Sequence, residues 1–122
     1  MPLYGSAPSE LQPGDLIALF NADTGPAKSM SVSVQAAPNS ASQPQYSVNL
    51  HFASAPTSFT FNMQGANDDV EAEYINITSG NIATGTATDY RIDFTTNASF
   101  LRANLSAQTG GGLVTVKIFR AA

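Results

Sequence analysis

The stretch YSVNLHF, residues 46–52, alternates without a break. In an extended chain successive side chains point to opposite faces. Tyr46, Val48, Leu50 and Phe52 therefore share one apolar face, and Ser47, Asn49 and His51 lie opposite. Such a pattern reads as a half-buried strand. The next run, SFTFNM, repeats it and turns Phe59, Phe61 and Met63 inward.

The same period extends outward along the chain. Leu16 to Phe20 is a short apolar run. In KSMSVSVQA, Met30, Val32, Val34 and Ala36 oppose Ser29, Ser31, Ser33 and Gln35. DVEAEYINIT and GNIATGTATD follow as further strands. In YRIDFTT, Tyr90, Ile92 and Phe94 alternate with Arg91, Asp93 and Thr95. FLRANLSAQ aligns Leu101, Ala103, Leu105 and Ala107, and GGGLVTVKIF closes with Val114, Val116 and Ile118. Eight or nine short strands, each with one apolar face and turn residues between them, predict an all-β fold, an antiparallel β-sandwich or jelly roll.

All seven prolines lie at or before Pro56. Proline cannot donate to a β-ladder and is expelled from central strands, so Thr57 to Ala122 is expected to hold most of the sheet centre. Residues 1–15 carry Pro, Gly and Ser without periodicity and read as an extended N-terminal arm, with residues 16–122 as the sandwich domain. Ser9 to Leu11 is the one candidate for a helical turn.

At 122 residues the chain is one domain by length. It has no cysteine, which excludes disulfides and thiolate metal sites, and its single histidine, His51, excludes a multi-histidine centre. Five basic and nine acidic residues give a net charge of −4. The cations Lys28, Arg91, Arg102, Lys117 and Arg120 are scattered, so nucleic acid is not an expected partner. No window approaches a membrane span, and MPLYGSAPSELQPGDL lacks the features of a secretory signal. The expectation is a protein made and used in the cytoplasm, or one that leaves it within a larger assembly. The three Asn-x-Ser/Thr sites at Asn76, Asn97 and Asn104 are then chance matches.

Four carboxylates, Asp68, Asp69, Glu71 and Glu73, arrive within six residues after a long uncharged stretch. Gln64 to Asp69 has turn chemistry. Past it, alternation places Asp69, Glu71 and Glu73 on one face of a strand and Val70 and Ala72 on the other. A solvated strand face is the reading preferred here. A calcium site is the sharper alternative, although the oxygen spacing of a wrapping loop is absent. A glycosidase-like pair, Asp69 and Glu71, is the other. At Tyr74-Ile75-Asn76-Ile77 the phase breaks, which predicts a β-bulge or a strand covered on both sides.

No other group carries catalytic chemistry. His51 has no acidic neighbour in sequence and reads as a surface or interface side chain. There is no G-x-S-x-G elbow to single out a nucleophilic serine. Gly110-Gly111-Gly112 lacks the Lys-Ser/Thr of a phosphate loop and reads as a flexible hairpin turn. No catalytic, metal-ligating or cofactor-binding residue is assigned, and no enzyme activity is expected.

Residues 29–67 carry no formal charge. Uncharged strands at a sheet edge invite pairing with another chain. Either these strands are central, or their surface is buried against partner subunits. The second reading predicts a homo-oligomer, a trimer in the first instance.

From about Ser58 to Arg120 the chain resembles a β-sandwich module of small structural proteins of tailed bacteriophages. The resemblance rests on SFTFNMQG leading into the turn ANDD, on the aromatic in EAEYINI, on FLRANLSA, and on the glycine-rich turn into GGGLVTVKIF. It departs from the commoner turn, Ser-Asn-Asp-Gly before a Trp: Ala66 stands for Ser, Asp69 for Gly, and Tyr74 lies near the aromatic position. The resemblance implies a virion structural protein, with a capsid decoration (cement) protein fitting best. The major capsid protein or other virion proteins would be its partners. The alternative is a tail, baseplate or fibre component with a carbohydrate- or receptor-binding sandwich. Few aromatics are left to stack on sugars, Tyr4 being the clearest.

Overall fold

The structure, a computed structural model, describes residues 10–24, 26–34, 44–78, 81–83 and 87–121. Its strands are β1 (Leu16–Thr24), β2 (Ala27–Lys28), β3 (Val32–Ser33), β4 (Gln45–Phe52), β5 (Pro56–Ala66), β6 (Ile75–Asn76), β7 (Asn81–Ala83), β8 (Asp89–Thr95), β9 (Phe100–Gly110) and β10 (Leu113–Arg120). They form two antiparallel sheets. The four-stranded sheet has the order β1-β10-β4-β8. In the six-stranded sheet β9 and β5 lie at the centre, with β2 and β3 beyond β9 and β6 and β7 beyond β5. The chain is an all-β sandwich, and no α-helix occurs among the described residues.

The alternating faces meet between the sheets. Tyr46, Val48, Leu50 and Phe52 of β4 and Val114, Val116 and Ile118 of β10 are buried from one side. Phe59, Phe61 and Met63 of β5 and Leu101, Ala103 and Leu105 of β9 are buried from the other. Phe52 and Phe59 touch across the gap, with ring centroids 4.9 Å apart. The edge strand β8 covers the flank with half-buried Tyr90, Ile92 and Phe94.

Several expected strands take another form, each for a local reason. KSMSVSVQA is interrupted. The backbone N–H of Ala103 donates to Ser29 Oγ at 2.8 Å, so a side chain occupies the ladder between β2 and β3. Ala107 does not continue the inward face of β9. The register steps from Thr60↔Ala107 to Phe61↔Leu105, which makes Ser106 the extra residue of a bulge and turns Ala107 outward. Gly110-Gly111-Gly112 is not a hairpin turn, because β9 and β10 belong to different sheets. It is a corner between sheets. All three glycines have positive φ, and a Cβ on Gly111 would stand 3.0 Å from Phe52 and Pro56 atoms.

Residues 1–9 lie outside the described residues, as do Gln35 and Ala36. Of the expected helical turn, Glu10 has no regular structure and Leu11 forms an isolated β-bridge with Val34. Leu11 is fully buried, and its N–H donates to the Ser33 carbonyl at 2.7 Å. The buried Arg120 guanidinium donates to the Leu11 carbonyl at 2.8 Å, and Gly14 N–H donates to the Arg120 carbonyl. Glu10 to Asp15 is thus docked into one end of the sandwich.

The two long strands of the uncharged stretch, β4 and β5, are interior strands with neighbours on both sides. Their lack of charge is accounted for within one chain. Charge sits instead on the edge strand β8, at Asp89, Arg91 and Asp93, where it discourages pairing with a further strand.

Candidate functional site

The densest polar constellation grows from the acidic stretch, but not as a strand. β5 ends at Ala66, residues 67–70 bend, and Glu71–Glu73 form a single 3-10 turn. The chain then returns as β6, pairing Ile75 with Gly65 and Asn76 with Gln64. The expected strand face of Asp69, Glu71 and Glu73 is therefore overturned. The phase break at Tyr74 to Ile77 comes from this 3-10 turn and not from a bulge. Residues 67–74 form a strap across the outer face of the six-stranded sheet.

Under the strap lies Arg102, which leaves β9 on the side opposite Leu101 and Ala103. Its Nη1 and Nη2 donate to Glu71 Oε1 and Oε2 at 2.8 and 2.7 Å, and its Nε donates to Gln64 Oε1 at 2.8 Å. The guanidinium stacks 4.0 Å from the centroid of the Tyr74 ring. A planar fork meets a carboxylate in two parallel bonds, the geometry that favours arginine over lysine. Lys28 Nζ adds a further contact to Glu71 Oε2 at 3.1 Å. The Tyr74 hydroxyl donates to Asp69 Oδ1, and Ser31 Oγ donates to Asp69 Oδ2 at 2.9 Å.

The electrostatics follow from these contacts. Hydrogen bonds from Arg102, and then from Lys28, hold the Glu71 carboxyl at about 2. Burial, and then the bond to Asp69, pushes the Tyr74 hydroxyl up to about 12. Glu71 raises Arg102 in turn. A general acid must carry a proton near its working pH, so Glu71 is badly placed to be the acid of the pair weighed from the sequence. Among the described residues, no group of three or more His, Asp or Glu side chains is placed to hold a metal ion.

The four carboxylates thus divide. Asp69 and Glu71 face the sheet and clamp the strap. Asp68 and Glu73 face solvent, without a side-chain hydrogen bond or ion pair among the described residues. Beside them Val70 and Ile75 are exposed, Ile75 by 69 %. A groove of about 450 Å³ opens here, between the strap, β6 and the 96–98 turn.

The outer face of the four-stranded sheet is open. His51 is exposed there, and its Nδ1 lies 2.7 Å from Asp89 Oδ1 on the neighbouring strand. The partner missing from the local sequence is supplied by strand register, His51↔Asp89. The His51 contact, followed by the Thr88 hydroxyl, lowers the Asp89 carboxyl. Asp93 accepts from Ser47 Oγ at 2.7 Å and from Arg91 Nε at 2.9 Å, and both contacts lower its carboxyl. Phe119, 37 % exposed, lies opposite Ser47 and lines a second groove with Gln45, Arg91 and Asp93. It is an outward aromatic that the sequence reading did not single out.

The reading of the acidic stretch also missed its central residue, Arg102. The available signal was a lone cation at an outward position in FLRANLSA, a strand otherwise built of small and apolar residues. No protein-family model and no curated protein matches the chain.

Proposed function

We propose that this chain is a bacteriophage virion structural protein, most plainly a capsid decoration protein that binds the assembled head shell without enzymatic activity. One observation carries the reading. Most of the segments on which the phage resemblance rests fall together on the six-stranded sheet and its strap. SFTFNMQG is β5, ANDD opens the strap, EAEYINI closes it, FLRANLSA is β9 and GGGLVTVKIF is β10. Four of the five segments thus share one sheet and its strap, and the fifth, β10, lies in the other sheet. Its partner would be the major capsid protein or another virion protein, and its place the virion, assembled in the host cytoplasm. Many identical sites on a shell would give avidity to a modest single contact. Binding only the assembled state would stabilise the shell by mass action.

The test is co-sedimentation of the purified protein with empty heads of the phage that encodes it. Saturable binding at a fixed ratio to the capsid protein, with a raised melting temperature of the heads, is the expected result. Protein left wholly in the supernatant overturns the reading.

Phe119 favours a second reading, a sugar-binding sandwich on a tail or fibre. An exposed ring beside Arg91, Asp93 and Gln45 can stack on a pyranose while the polar groups meet its hydroxyls. Binding on a glycan array, lost in Phe119→Ala, would replace the decoration reading with this one.

A further inference from the structure

The groove beside the strap has an apolar floor and a polar rim that carries one carboxylate, Glu73. Ile75, Ile77 and Ala98 lie along its floor, and Glu73, Asn67 and Asn97 along its edge. Its depth depends on Gly65. A Cβ there would stand 2.6 Å from Ile77 Cδ1 and 2.7 Å from Ala98 Cβ, so only glycine lets both side chains settle onto β5. The walls are held in place. Ile77 N–H donates to the Met63 carbonyl at 2.8 Å, and the strap is clamped by the two Arg102–Glu71 bonds. Such a surface costs little ordering on binding.

Two features define what fits. Among the described residues, Ile75 is the most exposed of the large apolar side chains and lies on β6, which has no strand on its outer side. An extended segment could lie along that edge and place an apolar side chain on the floor. The charge at the rim is negative. Glu73 lines the groove, Asp68 follows the groove-lining Asn67 in the chain, and neither is neutralised by a neighbouring side chain. The nearby cations Lys28 and Arg102 are both committed to Glu71.

We infer that this groove docks an extended segment of a partner protein in which an apolar side chain is flanked by Lys or Arg. The inference names the contact surface of the proposed virion protein, and it rests on that reading only for the partner's identity.

The test uses the full-length chain and two acetylated, amidated peptides, Lys-Leu-Lys-Leu-Lys and Glu-Leu-Glu-Leu-Glu, followed by amide chemical shifts. The basic peptide is expected to shift Ala66, Ile75, Ile77 and Ala98, and the acidic one to leave them in place. Ile75→Ser and Glu73→Lys change exposed side chains and leave the core intact. Each is expected to weaken the basic peptide roughly tenfold or more, because a like charge now faces the partner or the apolar contact is gone. No shift in these residues, or an equal response to the acidic peptide, overturns the inference. So do shifts in the same residues that grow with protein concentration alone, which would assign the groove to a second copy. Empty heads separate the two proposals. Wild-type binding that persists in both variants overturns the groove and leaves the decoration reading standing. Failure of the wild type on heads overturns the decoration reading, and the peptide result still decides the groove.

Discussion

Two arginine–carboxylate pairs sit on opposite outer faces of the sandwich. On the six-stranded sheet, Arg102 meets Glu71 with its own side chain only 10 % exposed, although the carboxylate partner is 69 % exposed. On the four-stranded sheet, Arg91 meets Asp93 with both side chains more than 60 % exposed. The chemistry is the same and the surroundings differ. Arg102 is covered by a segment of its own chain, stacked on Tyr74 and bonded to Gln64, whereas Arg91 stands in water. An ion pair in water gains little, because the attraction is screened and two long side chains must be held still. A covered guanidinium that loses its partners is left desolvated. One outer face is therefore bound into the fold through Arg102, and the ion pair on the other stands exposed on the single chain.

The two sheets differ in this way only on their outer faces, so the inner faces should behave alike. Leu50→Ala in the four-stranded sheet and Leu105→Ala in the six-stranded sheet each remove a fully buried side chain. Both are expected to cost about 2–5 kcal/mol in urea unfolding, the range for core truncations. A loss below about 1 kcal/mol in either would mean that its sheet does not close over the shared core.

The outer faces should then separate. Arg102→Ala is expected to destabilise by roughly 1–3 kcal/mol through lost hydrogen bonds and lost packing against Tyr74. Arg91→Ala should stay within about 0.5 kcal/mol of wild type, as surface substitutions do. Equal effects in thermal or urea unfolding would break the contrast.

The smallest effect is on pH dependence. The Glu71 carboxyl is held near 2 in the fold, against 4.5 for an ordinary glutamate. A depressed folded value means that the unfolded chain takes up the proton earlier. The stabilisation is present above about pH 4.5 and is lost as the pH falls toward about 2. Urea midpoints measured down this range should fall less steeply in Glu71→Gln than in wild type. Parallel curves would show that Glu71 does not hold the strap.

The same contrast marks what the sequence could reveal. Strict alternation over Tyr46 to Phe52 and Phe59 to Met63 identified strands correctly, because each has one buried face and the period follows from backbone geometry. Alternation failed at Asp69 to Glu73. There the carboxylates are placed by Arg102, 31 residues from Glu71 along the chain, and nothing local announces such a partner. His51 was rightly read as a surface side chain, but its partner Asp89 could be found only from strand register. The glycine corner was misread for a similar reason. Three consecutive glycines signal a tight bend, but not whether the chain returns to the same sheet or crosses to the other. The bulge at Ser106 left no mark in FLRANLSAQ, whose alternation continues through it.

The interior position of the uncharged strands also bears on how the chain reaches this state. β4 finds its neighbours in β8 and β10, and β5 finds its main neighbour in β9, all of them later in the sequence. Pairings this distant make folding slow, on the order of milliseconds to seconds. During a synthesis that runs from the N-terminus, β4 and β5 emerge before the strands that flank them. For that interval they present long, alternating and charge-free edges, which are templates for pairing with other chains. The yield of correctly folded protein is thus set by a race between β8, β9 and β10 arriving and neighbouring chains colliding. Dilution and slow expression should favour the native sandwich.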